Sequence, residues 1–183
     1  MQRMPPLPRE EMDEDQKRVV DKIVAGPRKG FYGPFLPLVY SPTLLDRVQE
    51  LGLHCRYSSS LPPVLSELLI LISARHWTAQ FEWYSHTETA EQAGVPRAAI
   101  EAIRVRQEPD LPGPDQAALY RFAQEYYTSG KVSDPTFENA LSRFGRRGVV
   151  DIVGIMGYYA LMAMALNVFE EPLPEGVSPP LEP

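Results

Sequence analysis

Between residues 64 and 94 the chain gathers three side chains able to move a proton: Glu67, Glu82 and His86. Glu82 and His86 lie four apart, which puts both on one face of a helix, and Trp83 borders that face three residues before the histidine. Glu67 stands in an apolar run (Leu65, Leu68, Leu69, Ile70, Leu71, Ile72), where a carboxylate is costly to bury unless it is paired or protonated. If the two segments fold as a helical hairpin, Glu67 can approach Glu82 and His86. A carboxylate–imidazole–carboxylate cluster of that kind suits general acid–base chemistry, because burial and neighbouring charges move pKa values toward neutrality.

Plainer readings stand beside this one. A Glu–His pair at this spacing is ordinarily a solvated helix pair worth a few tenths of a kcal/mol. Glu67 could equally serve as a polar contact between helices. A metal site built from Glu67, Glu82, His86 and His76 lacks HExxH or second-histidine spacing, so none is expected. His54, His76 and Cys55 read as structural residues. Arg56 and Arg75 are the candidates for holding a substrate carboxylate, with a surface salt bridge the default for each.

The elements that must position these groups are punctuated by proline. The chain has 183 residues and 19 prolines, about twice the usual share. They cluster at 5–8, 27–42, 62–63, 109–114 and 172–183, leaving 64–95 and 136–171 as the longest proline-free windows. Proline breaks helix interiors but fits first turns and loops, and windows of this length suit helices better than strands of ~5–6 residues. No Asn-Gly or Asp-Gly turn and no sustained alternation marks a hairpin. The expected fold class is all-α, a single-domain bundle of about seven to eight helices.

In detail, residues 1–12 read as an arm without the apolar core of a signal peptide, and 13–170 as the helical domain. Helices are expected over 13–25, 43–55, 63–77, 79–93, 97–106, 115–128, 135–144 and 148–169, with Asp134-Pro135 as cap and first-turn proline. The aromatic loop 26–42 is too apolar to dangle and is expected to cover the core or a pocket. Residues 148–169 reach the length of a membrane span, but Asp151 and Asn167 intrude and no basic flank follows, so a buried or subunit-interface helix is the better account. Gly154, Gly157, Ala160 and Ala163 form its ridge of small residues. The tail 171–183 is expected to be extended and to lie along a partner subunit.

Composition narrows the classes further. The net charge is −6, with 44% hydrophobic and 23% charged residues, which fits a globular protein and argues against a phosphate-tracking nucleic-acid binder. The single cysteine excludes an intramolecular disulfide and a CxxC redox pair.

The pattern of Glu67, then Ala-Gln-Phe-Glu-Trp-Tyr-Ser-His at 79–86, then Ala90 and Gly94-Val95-Pro96 resembles the carboxymuconolactone decarboxylase family, within the alkylhydroperoxidase D-like superfamily. The resemblance extends over most of 30–170. In the superfamily's peroxidase branch a CxxC pair works with a relay glutamate and a histidine. The relay glutamate matches Glu67 and the histidine His86, but the two cysteines match Ala79 and Glu82. Cys55 lies outside the motif, so the thiol mechanism has no thiols here.

The decarboxylase branch shares Glu-Trp-x-x-His. It implies a cofactor-free lyase acting on a small carboxylated lactone or related aromatic-catabolism intermediate, and a homo-oligomer, trimer or hexamer; the chain is further expected to be cytoplasmic, with no nucleic-acid or membrane partner. On that reading His86 donates the proton, Glu82 orients it and Glu67 is a second acid/base. Trp83 with Phe31, Tyr32 or Phe35 forms an apolar wall, and Arg56 or Arg75 holds the substrate carboxylate. The alternatives are a peroxidase-type activity without the thiols, or a non-catalytic helical ligand-binding or oligomerisation protein.

Overall fold

A computed structural model of the chain describes residues 2–183. It is all-helical, with eight α-helices and no strand among the described residues. They are α1 (Glu14–Ala25), α2 (Phe35–Leu38), α3 (Pro42–Leu53), α4 (Pro63–His76), α5 (Gln80–Ala93), α6 (Arg97–Arg104), α7 (Pro114–Ser129) and α8 (Asp134–Phe169).

The centre of the bundle is α4, with α5, α6, α7 and α8 packed around it. Its sequence dictates that place, because it is apolar on every side and everything from Leu65 to Arg75 is buried. The polar groups it takes inside are bonded. The Ser66 hydroxyl donates to the Pro63 carbonyl and the Ser73 hydroxyl to the Leu69 carbonyl, as burial requires. A three-residue turn, Trp77 to Ala79, reverses the chain into α5, with Thr78 at φ 48° and the Ala79 N–H donating to the Ala74 carbonyl. The hairpin expected from the motif is therefore present. Helix α5 ends at Gly94, whose φ of 103° is the left-handed closure that glycine adopts readily.

Other boundaries follow from local chemistry. A reciprocal capping box starts α1, in which the Asp13 carboxylate accepts from the Gln16 N–H and the Gln16 side chain accepts from the Asp13 N–H. Pro42, Pro63 and Pro114 occupy first-turn positions of α3, α4 and α7. For α8 the cap is Ser133 rather than Asp134, whose place is inside the first turn together with Pro135. The two helices expected at 135–144 and 148–169 run together as α8, broken only at Gly145, whose φ 64° and ψ 178° are not helical. One stretch of α8 is long and apolar enough to cross a membrane, and most of it is buried inside the fold.

Three segments are more structured than the sequence suggests. Loop 26–42 contains α2, with Phe35, Pro37 and Leu38 buried. After α3 the chain winds through a π turn, His54–Ser58, which carries Cys55 inside and packs on α8. The tail runs back over its own bundle. Leu181 is buried, its N–H and C=O are both held by the Gln80 amide, and Arg75 and Arg104 donate to the carbonyls of Glu182 and Pro180. It is extended as expected, but it lies along α4, α5 and α6 of the same chain, because Gln80, Arg75 and Arg104 together offer donors and an acceptor to its backbone.

Candidate active site

Helix α4 presents Glu67 and α5 presents Glu82 and His86, and the hairpin brings all three together. The His86 Nδ1 is 2.7 Å from Glu67 Oε2, and its Nε2 is 3.5 Å from Glu82 Oε2. All three side chains are buried. An ionised Glu67 can only accept, so it fixes the hydrogen on Nδ1 and leaves the lone pair on Nε2. On the Nε2 side stand Glu82 and the Tyr159 hydroxyl, the latter at 3.5 Å, with the two rings edge-to-face.

That side opens on a cavity of about 240 Å³. Helix α5 lines it with Phe81, Glu82, Ser85 and His86, and α8 lines it with Tyr158, Tyr159 and Met162. The aromatic loop contributes Arg28, Tyr32, Pro34 and Phe35, and the π turn contributes Arg56. Glu67 is not on the wall; it lies behind the imidazole.

Burial raises the pKa of Glu82, against opposing pulls from His86, Arg56 and Arg28. Its neutral form is thereby favoured, and a neutral carboxyl beside a lone pair is a hydrogen-bond donor. Burial also holds the Tyr159 hydroxyl well above the ordinary tyrosine value, so it too stays protonated. Arg56 is half-buried, has no carboxylate within salt-bridge distance among the described residues, and stacks its guanidinium 5.5 Å from the Tyr57 ring centroid.

Three residues expected at the pocket are elsewhere. Trp83 is buried in the core, because its position on α5 is rotated by about 100° from that of Glu82. Phe31 packs against the core without lining the cavity. Arg75 is buried near the far end of α4, bonded to Thr78 and the tail. Arg28, Tyr158 and Tyr159 were not singled out from sequence. The tyrosines sit in what reads as a packing helix, and Arg28 in a Gly/Pro-flanked loop without periodicity.

The remaining candidates have structural settings. His76 stacks on Tyr127 at 4.1 Å. His54 bonds Asp151 at 3.0 Å, and Asp151 also accepts from the N–H and hydroxyl of Ser60, tying the π-turn segment to α8. Cys55 is buried and its pKa is pushed up to about 11, chiefly by burial, which disfavours the reactive thiolate. Among the described residues, no group of three His, Cys, Asp or Glu side chains is arranged to hold a metal ion.

No protein-family model matches the chain, and no curated protein sequence does. Solved structures do match. One is the alkylhydroperoxidase AhpD core of an uncharacterized peroxidase-related protein from Ralstonia eutropha, with a TM-score of 0.76 over 94% of this chain and 92% of that one, at 16% identity. Another is a protein of unknown function from Agrobacterium tumefaciens, a candidate antioxidant-defence protein AhpD, with a TM-score of 0.65 over 75% of this chain and 94% of that one, at 17% identity. The fold is AhpD-like. At these identities the likeness speaks of architecture alone.

Proposed function

We propose that the chain is a thiol-free proton-transfer enzyme acting on a small anionic substrate, a decarboxylase-type lyase on a carboxylated lactone. The observation that carries this is the buried Glu67–His86–Glu82 line opening on a cavity that also holds two arginines. The volume, about 240 Å³, equals roughly eight waters and suits one small ring with its substituents.

On this reading the two carboxylates exchange the parts expected of them from the sequence. Glu67, bonded to Nδ1 and off the cavity wall, orients the imidazole. Glu82, on the wall, is the proton reservoir. In the proposed step the substrate anion lies between the two arginines of the cavity, Arg56 and Arg28. The bond to the departing CO2 breaks and its electron pair enters the conjugated lactone. His86, sharing the Glu82 proton through Nε2, returns a proton to carbon. Water then reprotonates the pair, so one proton is consumed for each CO2 released.

The resemblance also supports a homo-oligomer, and α8 offers a surface for it. Val150, Val153, Met164 and Val168 are more than half exposed on this helix. We propose that a second copy covers that face.

The test is turnover of a panel of carboxylated butenolides by wild type, His86→Ala, Glu67→Gln and Glu82→Gln, with folding checked by circular dichroism. Loss of a proton-transfer group is expected to lower kcat by roughly 10²–10⁴. Turnover unchanged in His86→Ala and Glu82→Gln would overturn the assignment. A peroxidase reading is favoured only by the names of the two structural neighbours. Peroxide consumption that persists in Cys55→Ser would exclude a thiol route for it.

A further inference from the structure

Arg28 is the second cation of the cavity, and its surroundings differ from those of a structural arginine. No carboxylate lies within salt-bridge distance of it among the described residues. Its guanidinium sits 4.9 Å from the centre of the Phe35 ring and donates through Nη2 to the Tyr158 hydroxyl at a long 3.4 Å. Its Nε–H, like that of Arg75, is buried with no hydrogen-bond partner, but unlike Arg75 it makes no hydrogen bond to the backbone among the described residues. Phe35 and Tyr158 line the same cavity as Arg28 and His86.

What lets the arginine reach this place is Gly52, a buried residue of α3. A Cβ there would stand 2.2 Å from the Tyr158 hydroxyl oxygen, 2.4 Å from Tyr158 Cζ and 2.4 Å from Arg28 Nη2. Those are overlaps, not contacts, and the packed Tyr158 ring has little freedom to yield. Gly52 has no positive φ to demand glycine. Its missing side chain is therefore explained by the arginine–tyrosine pair that passes over it.

We propose that Arg28, positioned by Tyr158 across the bare Cα of Gly52, is the residue by which this cavity selects anionic over neutral ligands. The ligand class is a small ring carboxylate, which meets the Arg28 guanidinium where that side chain lines the cavity. Arg28 is thus a specificity determinant, and Gly52 and Tyr158 are positioning residues. The inference rests on reading the cavity as the substrate site, but not on the reaction assigned to it, and its test measures binding alone.

The probes are 2-furoate and its neutral isostere 2-furamide, titrated into wild type and variants by ligand-observed NMR or calorimetry at pH 7.5. Wild type is expected to bind furoate at least tenfold more tightly than furamide, since charge-assisted hydrogen bonds exceed neutral ones by that order. Arg28→Met should bring the ratio to within threefold while furamide binding stays the same, and Arg28→Lys should restore part of it. Gly52→Ala should lower furoate affinity roughly tenfold with furamide unchanged, whereas a merely structural role would weaken both alike. If Gly52→Ala fails to fold, Tyr158→Phe serves in its place and should lower the ratio severalfold. Equal binding of the two probes by wild type, no binding of furoate at millimolar concentration, or an unchanged ratio in Arg28→Met would each overturn the proposal. None of these results depends on whether butenolides turn over, so a failed decarboxylase reading would be recognised separately.

Discussion

Glu82 is a carboxylic acid buried beside a histidine, two arginines and another glutamate, and its pKa rises on folding chiefly because burial penalises the anion. A carboxyl whose pKa is raised in the folded state takes up protons on folding. Its contribution to stability is complete below its ordinary value of 4.5 and is lost as pH climbs through the raised one. Glu82→Gln, which keeps shape and cannot ionise, is therefore expected to melt above wild type at pH 8, with the gap closing toward pH 4. A 1 kcal/mol effect corresponds to roughly 2–4 °C in a chain of this length, and melts across that pH range would show it; a lower melting temperature at pH 8 would contradict the sign. The identities of Glu67, Glu82 and His86 were legible because the i,i+4 spacing and a carboxylate in a leucine run are sequence facts. Their roles were not, because which imidazole nitrogen meets which carboxylate depends on how α4 and α5 are rotated about their axes. That same rotation turned Trp83 into the core.

At the scale of elements, proline placement made the helices legible, since a residue that cannot sit in a helix interior marks where helices begin and pause. What stayed hidden were segments stabilised by distant partners. The π turn is held by Asp151, almost a hundred residues away, and the tail by Gln80, Arg75 and Arg104. The tail is a substantial part of the fold's stability: Leu181 is worth about 2 kcal/mol of apolar burial, and four hydrogen bonds to its backbone add ~1 kcal/mol each at most. The entropy lost in ordering these residues offsets much of that gain, so removing residues 180–183 is expected to lower the melting temperature by roughly 5–10 °C. Because Gln80 is the first residue of the helix that carries His86, the truncated chain should also show increased hydrogen exchange in the first turn of α5. A shift below 2 °C would mean that the strap contributes little.

For the whole molecule, the all-α class and the AhpD-like architecture were legible because the hairpin motif and the helix-length windows agree with each other. The assembly is a matter of which apolar surface lacks a neighbour. If a second copy covers α8, light scattering after size exclusion should give a multiple of the 20.6 kDa chain mass. Val153→Glu, a change on the exposed face, should then shift the population to monomer without unfolding it. A wild-type monomer at micromolar concentration would contradict the proposal.

Gly145 has a bearing on how large the molecule is. A straight helix of 36 residues would measure about 54 Å, against a radius of gyration of about 16 Å for a compact chain of this length. The backbone at Gly145, φ 64° and ψ 178°, belongs to a region open in practice only to glycine. Space around its Cα is empty, so a side chain there would meet no obstacle and would act through the backbone alone. It would strain the turn by which the first eleven residues of α8 fold back along α7. The helix is thus folded to the width of the body at the one backbone position where a side chain would be most costly.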